Sequence, residues 1–110
     1  MHTLNVKDKY YNMLKSGTKV IELRLFDDKR KKTKVGDIIE FTNVSDAKDK
    51  FLAKVVKLHQ ANDFADLCRK IDCCLAGFDT NEKLIEVLEE FYSLERQKEL
   101  GVVGIEIQKI

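Results

Sequence analysis

The chain has 110 residues, of which 44% are hydrophobic and 35% are charged, and it contains no Trp or Pro. It has no apolar run near the roughly 20 residues that a membrane-spanning helix needs, and its N-terminus lacks the apolar stretch of a secretory signal. These features exclude a membrane-spanning protein, and we expect one domain over residues 1–110, located in the cytoplasm.

The net charge of +1 results from two halves of opposite charge. Residues 1–57 carry 14 Lys and Arg against 8 Asp and Glu, whereas residues 58–110 carry 6 against 11. A basic first half favours an anionic partner, because the summed charge of a surface attracts ligands of the opposite sign. A dipolar protein with solvated faces accounts for the same distribution equally well.

Cysteine and histidine are too few and too poorly spaced to predict a metal site. The cysteines Cys68, Cys73 and Cys74 are an odd, clustered set, and the only histidines are His2 and His59. Free cysteines of this kind pack as small hydrophobic side chains. The sequence also has no P-loop, no G-x-S-x-G and no H-E-x-x-H motif. We therefore expect neither a metal nor a cofactor.

In chain order, the first predicted elements are a strand and a helix. His2–Val6 alternates apolar and polar residues, as a short strand does. Residues 7–15 carry apolar side chains at helical spacing, and Gly17 follows as the expected end of that helix.

Three segments rich in β-branched and apolar residues follow and predict strands: 18–26, 38–42 and 51–59. Residues 27–34 are expected to form a charged turn or a single turn of helix, and residues 43–50 a polar connection. In the third strand the alternation places one set of side chains on the same face: Phe51, Ala53, Val55 and Lys57.

The second half is predicted to be mainly helical. Short polar side chains at the start of 62–70 and of 80–92 predict two capped helices, and Leu94–Leu100 adds one further turn. Residues 102–110 alternate as a closing strand. Strands at both ends with helices between them predict an α+β fold, a small barrel-like sheet of five to six mixed strands covered by three or four helices.

The predicted strand 18–26 is unusual in its polar content. Glu22 and Arg24 share a face, about 7 Å apart along the strand, whereas Lys19 would join them only if a bulge or the preceding turn re-aimed it. Arg offers a rigid fork for phosphate or a base edge, Glu accepts from an exocyclic amine, and a buried Lys can act as a base or nucleophile. The alternative is an exposed ion pair worth about 1 kcal/mol or less.

A basic run follows this strand. Lys29, Arg30, Lys31 and Lys32 can contact the phosphates of a nucleic acid, which would give a salt-dependent affinity. The alternative is a solvated turn in which the acidic pair just before the run neutralises part of its charge.

Beyond these patterns, the sequence resembles the ASCH domain family over essentially its whole length. The resemblance rests on the order G-x-K-x-x-E-x-R at Gly17, Lys19, Glu22 and Arg24, then V-G-D at 35–37, and the closing segment 101–107. It implies a β-barrel related to the PUA domain of RNA-modifying proteins, with a cleft that binds RNA or a modified nucleoside or nucleotide.

One enzymatic branch of that family hydrolyses the acetyl amide of N4-acetylcytidine with a Lys, a Thr three residues later and a more distant Glu. Lys19 matches the Lys, Glu22 stands at the Thr position, and Gly77 aligns with the later Glu, with Asp79 and Glu82 nearby. Other relatives have been linked to ribonuclease activity.

Three hypotheses follow from the sequence. The first is an RNA- or nucleoside-binding module that uses Gly17, Lys19, Glu22 and Arg24 in a cleft and the basic run on phosphates. The second is an amidohydrolase in which Lys19 and Glu22 are catalytic. The third is a protein-interaction domain that uses the acidic helix at 82–90. We expect a monomer, with a weak dimer as the alternative.

Overall fold

The computed structural model describes all residues from 1 to 110. The strands are β1 His2–Val6, β2 Ile21–Leu25, β3 Ile38–Asn43, β4 Asp46–Ala61 and β5 Val102–Lys109. The helices are α1 Asp8–Ser16, α2 Asp28–Lys31, α3 Phe64–Leu67, α4 Asn81–Phe91 and α5 Leu94–Leu100, with a 3-10 turn at Cys73–Ala76. None of the helices has the length and apolar character that crossing a membrane requires.

The five strands form one mixed, curled sheet in the order β1-β3-β4-β5-β2. β1 runs parallel to β3, and every other neighbouring pair is antiparallel. β1 and β2 are the two edges, and they do not pair with each other, so the sheet is a half-barrel with an open seam between them. Across this seam, Arg24 Nη2 donates to the carbonyl oxygen of Asn5 at 2.8 Å. The predicted α+β fold with a curled mixed sheet is confirmed.

Two apolar clusters cover the two faces of the sheet. The inner cluster packs α1 against β1, β3, β4 and β5, and its members are Leu4, Val6, Tyr11, Leu14, Ile39, Phe41, Phe51, Ala53, Val55, Val103, Ile105 and Ile107. The outer cluster packs α3 and α4 against β2, and it includes Ile21, Leu23, Leu25, Phe64, Leu67, Leu84, Leu88 and Val102. β2 therefore contributes its apolar side chains to the outer face and its polar ones to the inner face.

Capping residues mark the end of α1 and the start of α4, as the sequence predicts. α1 ends at Gly17, whose φ of 88° is a left-handed conformation that favours glycine. The Thr80 side chain accepts from the Lys83 N–H at the start of α4. The count of five helices exceeds the expected three or four because the Asp27 side chain, accepting from the Arg30 N–H at 2.9 Å, caps a single turn in the predicted charged turn. α3 is also shorter than predicted.

The polar connection predicted at 43–50 is wrong. β3 and β4 form a tight hairpin in which Asn43 pairs with Asp46, and the Asn43 side chain accepts from the Ser45 N–H. The alternation predicted for the third strand also fails at its end, because a bulge lies between Val55 and Lys57. Lys57 is exposed, and Leu58 packs against the inner cluster in its place.

Candidate functional site

A cavity of about 170 Å³ opens at the seam between β1 and β2. The start of α1 and the end of α4 close its sides. Its lining residues are Asn5, Val6, Lys7, Tyr10, Lys19, Glu22, Leu23, Arg24, Phe78, Leu88, Phe91 and Tyr92. The sequence-predicted residues Lys19, Glu22 and Arg24 thus meet in one cavity.

Strand alternation brings Glu22 and Arg24 to this cavity. In β2, Glu22 pairs with Ile105 and Arg24 with Val103, both members of the inner cluster. Cross-strand partners point to the same face, so the two polar side chains point into the half-barrel. Because β2 is an edge strand, they reach the seam rather than the packed centre.

The turn after α1 brings Lys19 to the same place. Gly17 ends the helix, and the Lys19 N–H donates back to the Met13 carbonyl at 3.1 Å. β2 begins only at Ile21, so strand alternation does not govern Lys19, and its side chain is 3% exposed. Gly77 lies against its stem: a Cβ there would be 3.3 Å from Lys19 Cδ. The turn therefore directs the Lys19 side chain toward Glu22, which strand alternation alone would not do.

The three side chains form a buried ion cluster. Lys19 Nζ donates to the Ala76 carbonyl at 2.7 Å and lies 3.5 Å from Glu22 Oε1. Glu22 Oε2 accepts from Arg24 Nε at 2.9 Å and lies 2.8 Å from Arg24 Nη2. The Glu22 carboxylate, 5% exposed as a residue, sits between two cations. Glu22 is therefore buried and Arg24 half-buried, so the exposed ion pair considered as the alternative is wrong.

Burial changes the protonation chemistry of this cluster. Desolvation lowers the pKa of Lys19, Glu22 opposes that shift, and the positive charge of Arg24 adds to it. Burial raises the pKa of Tyr10, whose ring centroid is 5.5 Å from Lys19 Nζ, and the charges of Glu22 and Glu90 raise it further. The cavity thus holds an amine predisposed to lose a proton beside a phenol that keeps one.

Aromatic rings form the other walls of the cavity. Tyr10 and Phe78 lie with ring centroids 5.7 Å apart and planes tilted by 45°. Lys7 Nζ lies 4.3 Å from the centroid of Phe91, which is exposed at the cavity mouth beside Tyr92. An enclosure of this type offers flat apolar surfaces beside a few charged groups, as small-molecule sites do.

The family model of the ASCH domain matches residues 4–110. The chain belongs to the ASCH domain family. The crystal structure of hypothetical protein PH0355 is 34% identical, with a TM-score of 0.86 and coverage of 98% of this chain and 97% of that chain. The solution NMR structure of protein PF0455 from Pyrococcus furiosus is 29% identical, with a TM-score of 0.76 and coverage of 99% and 96%.

A more distant ASCH structure shares the fold. The crystal structure of ASCH from Zymomonas mobilis is 9% identical and has a TM-score of 0.65, over 96% of this chain and 65% of that chain. At that identity the likeness concerns the fold alone. No curated protein matches the sequence.

The remaining residues of the ASCH motif and of the basic run lie outside the cavity. Gly17 is exposed and serves to end α1. Lys29, Lys31 and Lys32 are exposed on and after α2. Arg30 differs from its neighbours, because it is half-buried and its Nε is enclosed without a hydrogen-bond partner.

Sequence reasoning missed the aromatic walls of this ASCH domain. Helical spacing over residues 7–15 and 80–92 places Tyr10 within a helix and Tyr92 at a helix end, and it points to no ligand site. In the structure Tyr10 packs against both apolar clusters and Tyr92 against the outer one, and both residues also line the cavity. The available signal was their place at the ends of α1 and α4, since residues at helix ends near a sheet edge are less enclosed than those in mid-helix.

Three potential metal ligands meet away from the cavity. The ligand atoms of Asp72, Cys73 and Cys74 lie within 4.8 Å of one another at the 3-10 turn. The negative charge of Asp72 raises the pKa of the Cys74 thiol. The structural contribution of this turn is its backbone, since the Ala76 carbonyl accepts from Lys19.

Proposed function

We propose that this ASCH domain binds RNA or a modified nucleoside by taking one base into the seam cavity, where Lys19, Glu22 and Arg24 contact its edge. The observation that carries the proposal is the buried ion cluster opening onto an aromatic-walled cavity. Charged residues are almost never fully buried unless they are paired. A cluster of this kind at a cavity, with a perturbed Lys, is a reason to assign a binding site.

The size of the cavity favours a single base. Its volume of about 170 Å³ is below the roughly 300–1,000 Å³ of pockets for drug-sized ligands. A base pair does not fit such a space, whereas an unstacked base from a loop or single strand does, and aromatic side chains are its usual partners. The positively charged run at 29–32 would then lie along the neighbouring phosphates.

The ion cluster retains free hydrogen-bonding capacity for that base. A carboxylate has about four acceptor positions, and the contacts of Glu22 with Lys19 and Arg24 leave at least one for an exocyclic amine. Arg24 Nη1 makes no hydrogen bond in the structure and can donate to a base carbonyl or ring nitrogen. Recognition of a base edge requires hydrogen-bond donors and acceptors side by side, and Arg24 and Glu22 provide them.

Titration of a labelled single-stranded RNA at about 50 and 200 mM salt tests this proposal, because phosphate contacts make affinity fall with salt. We expect measurable binding at low salt and a loss of about tenfold or more in the Arg24→Gln variant, since charged hydrogen bonds contribute about 1.5–3 kcal/mol. Arg69→Gln is the matched control, because Arg69 is exposed and outside the cavity. No binding at low salt would reject the proposal.

A second candidate function is hydrolysis of the acetyl amide of N4-acetylcytidine. The specific observation in its favour is that burial lowers the pKa of Lys19, which favours the neutral amine that can act as a base. Lys19 would take a proton from water as the water oxygen attacks the acetyl carbonyl. Glu22, whose Oε1 lies 3.5 Å from Lys19 Nζ, would pass that same proton to N4 as the C–N bond breaks, giving cytidine and acetic acid, which ionises to acetate.

Incubation with N4-acetylcytidine and chromatographic detection of cytidine tests this second function. We expect cytidine to form with the wild-type chain and not with Lys19→Met, while Lys15→Met, an exposed lysine, keeps the activity. Equal rates in the wild type and Lys19→Met would remove the role assigned to Lys19. Absence of any cytidine would leave binding as the function.

A further inference from the structure

Phe91 is an aromatic side chain at the mouth of the seam cavity that the core does not enclose. It is the last residue of α4 and continues the helical spacing of Leu84 and Leu88, which are buried in the outer cluster. Phe91 belongs to neither apolar cluster, and it is the one exposed phenylalanine of the six, at 45%. Single exposed apolar side chains are ordinary on a protein surface, so the neighbours of Phe91 determine whether it has a role.

Lys7 places a positive charge over that ring. Its Nζ lies 4.3 Å from the ring centroid, within the range of a cation–π contact. The side chain is exposed, and no carboxylate oxygen lies within 4 Å of its Nζ. Lys7 also does not stabilise the helix that follows it, because it occupies the N-cap position of α1 without a capping hydrogen bond, where positive charge is disfavoured. A ring face and an unpaired cation therefore lie together at the mouth, both open to solvent.

The size of the cavity determines what reaches this mouth. Lys7 and Phe91 line the same cavity as Glu22 and Arg24, and its volume of about 170 Å³ suits a single base. A strand whose base contacts Glu22 and Arg24 inside must therefore leave its next nucleotide outside. That nucleotide brings a flat base, which stacks on aromatic side chains, and a phosphate, which pairs with lysine. The mouth offers one accessible group for each.

We propose that Phe91 stacks the base next to the one in the seam cavity and that Lys7 binds the phosphate joining the two, an inference that rests on the proposed function. In the free protein Lys7 occupies the ring face. Its flexible side chain leaves that face to the incoming base, because a phosphate offers it a full negative charge nearby. The ligand is then a single strand of at least two nucleotides rather than a free nucleoside.

The first test is a length series measured by isothermal titration at about 50 mM salt. For each base it uses the nucleoside 5′- and 3′-monophosphates, the homodinucleoside monophosphate and the homohexanucleotide. We expect the dinucleotide of the preferred base to bind about fivefold or more tightly than either monophosphate, as stacking of one base on an aromatic side chain implies. A dinucleotide that binds no more tightly would overturn the inference, and binding of the monophosphates or the hexanucleotide would then leave the proposed function intact. No binding of any member of the series would overturn both.

The second test changes the ring. Phe91→Ala should lower the affinity for the dinucleotide by a factor about five times or more larger than it lowers that for the monophosphates, and Phe91→Trp, which keeps a flat ring, should not. Leu94→Ala is the matched control, because Leu94 is also 45% exposed and lies outside the cavity lining. Thermal unfolding shows whether each variant folds. An equal loss on both ligands would make Phe91 a wall for the inner base and overturn the stacking assigned to it.

The third test changes the charge. Lys7→Gln should lower the slope of log affinity against log salt for the dinucleotide by about 0.7, the value for one phosphate contact on a single strand, whereas Phe91→Ala should leave that slope unchanged. Lys98→Gln is the control, because Lys98 is exposed and outside the cavity lining. A slope in Lys7→Gln equal to that of the wild type would limit Lys7 to its contact with the ring and overturn the phosphate contact.

Discussion

Two groups of charged residues lie close together in the chain and meet opposite environments. Lys19, Glu22 and Arg24 form the buried ion cluster at the seam, whereas Lys29, Lys31 and Lys32 are exposed on and after α2. Both segments are rich in charge, and both were candidates for ligand contact. The apolar residues of each segment explain the difference in burial. Ile21, Leu23 and Leu25 pack β2 into the outer apolar cluster, whereas α2 has no fully buried residue.

The comparison separates two ways in which a charged residue can serve a ligand. In the ion cluster, burial removes water, strengthens each interaction and restricts geometry, which suits recognition of one base edge. In the exposed run, charges remain hydrated and mobile, which suits contact with a phosphate backbone of any sequence. Arg30 is intermediate, since it belongs to the run in sequence but is half-buried with its Nε enclosed.

The largest effect should come from breaking the ion cluster. Glu22→Ala leaves the buried Lys19 and the half-buried Arg24 without their shared carboxylate, and removing one partner of a buried ion pair costs about 3–5 kcal/mol. We expect that loss in the free energy of unfolding, measured by urea denaturation. Lys29→Ala is the control and should change it by about 0.5 kcal/mol or less. Equal effects of the two variants would show that the cluster is not buried in solution.

The sequence was sufficient for the parts of this site that local rules govern. Alternation along β2 correctly placed Glu22 and Arg24 on one face, and Gly17 correctly ended α1. The burial of Lys19 was not predictable, because it depends on a turn and on space that the distant Gly77 leaves open. The inward turn of Arg30 was hidden for a similar reason, since neighbours on one helical turn point in different directions and only the tertiary fold determines which is inward.

The hairpin between β3 and β4 shows a different limit of the sequence. Its two turn residues, Val44 and Ser45, are not the Asn-Gly or Gly-containing pairs that mark tight hairpins. The turn is held instead by Asn43, whose side chain accepts from the Ser45 N–H and donates to Asp8 at 2.7 Å. The hydrogen bond to Asp8 joins residues far apart in the sequence. Patterns of neighbouring residues therefore predict a connection here rather than a hairpin.

A smaller effect should follow from filling the space beside Lys19. Gly77 has φ of 92°, and an added Cβ would lie 3.3 Å from Lys19 Cδ, so Gly77→Ala combines backbone strain with a contact on the ion cluster. Gly36, with φ of 96° and nothing within 4 Å, is the matched control for backbone strain alone. We expect Gly36→Ala to destabilise by about 1 kcal/mol and Gly77→Ala by more, in the same unfolding assay. A smaller loss of unfolding free energy for Gly77→Ala than for Gly36→Ala would contradict the packing described for Lys19.

The protonation of Lys19 should appear as a difference in pH dependence. Its pKa in the folded chain is below the ordinary value of 10.5, so the unfolded chain binds more protons in the interval between the two values. Folding stability contributed by this group therefore rises as pH increases through the folded pKa toward 10.5. In Lys19→Met this contribution is absent. Unfolding free energies followed from about pH 7 upward toward 10.5 should show the stability of the wild type rising relative to that of Lys19→Met, and the titration of the tyrosines is common to both proteins.

The smallest effect on stability, and the sharpest test of the exposed run, concerns Lys29 and Lys32. Lys29→Ala and Lys32→Ala should each change the free energy of unfolding by about 0.5 kcal/mol or less, because both side chains are exposed. With a single-stranded RNA of several nucleotides, each variant should lower the slope of log affinity against log salt by about 0.7, the value for one phosphate contact on a single strand. With a nucleoside monophosphate neither variant should change affinity, because the run would then have no neighbouring phosphate to contact. An unchanged salt slope on the longer RNA would assign the run to solvent and leave recognition to the ion cluster.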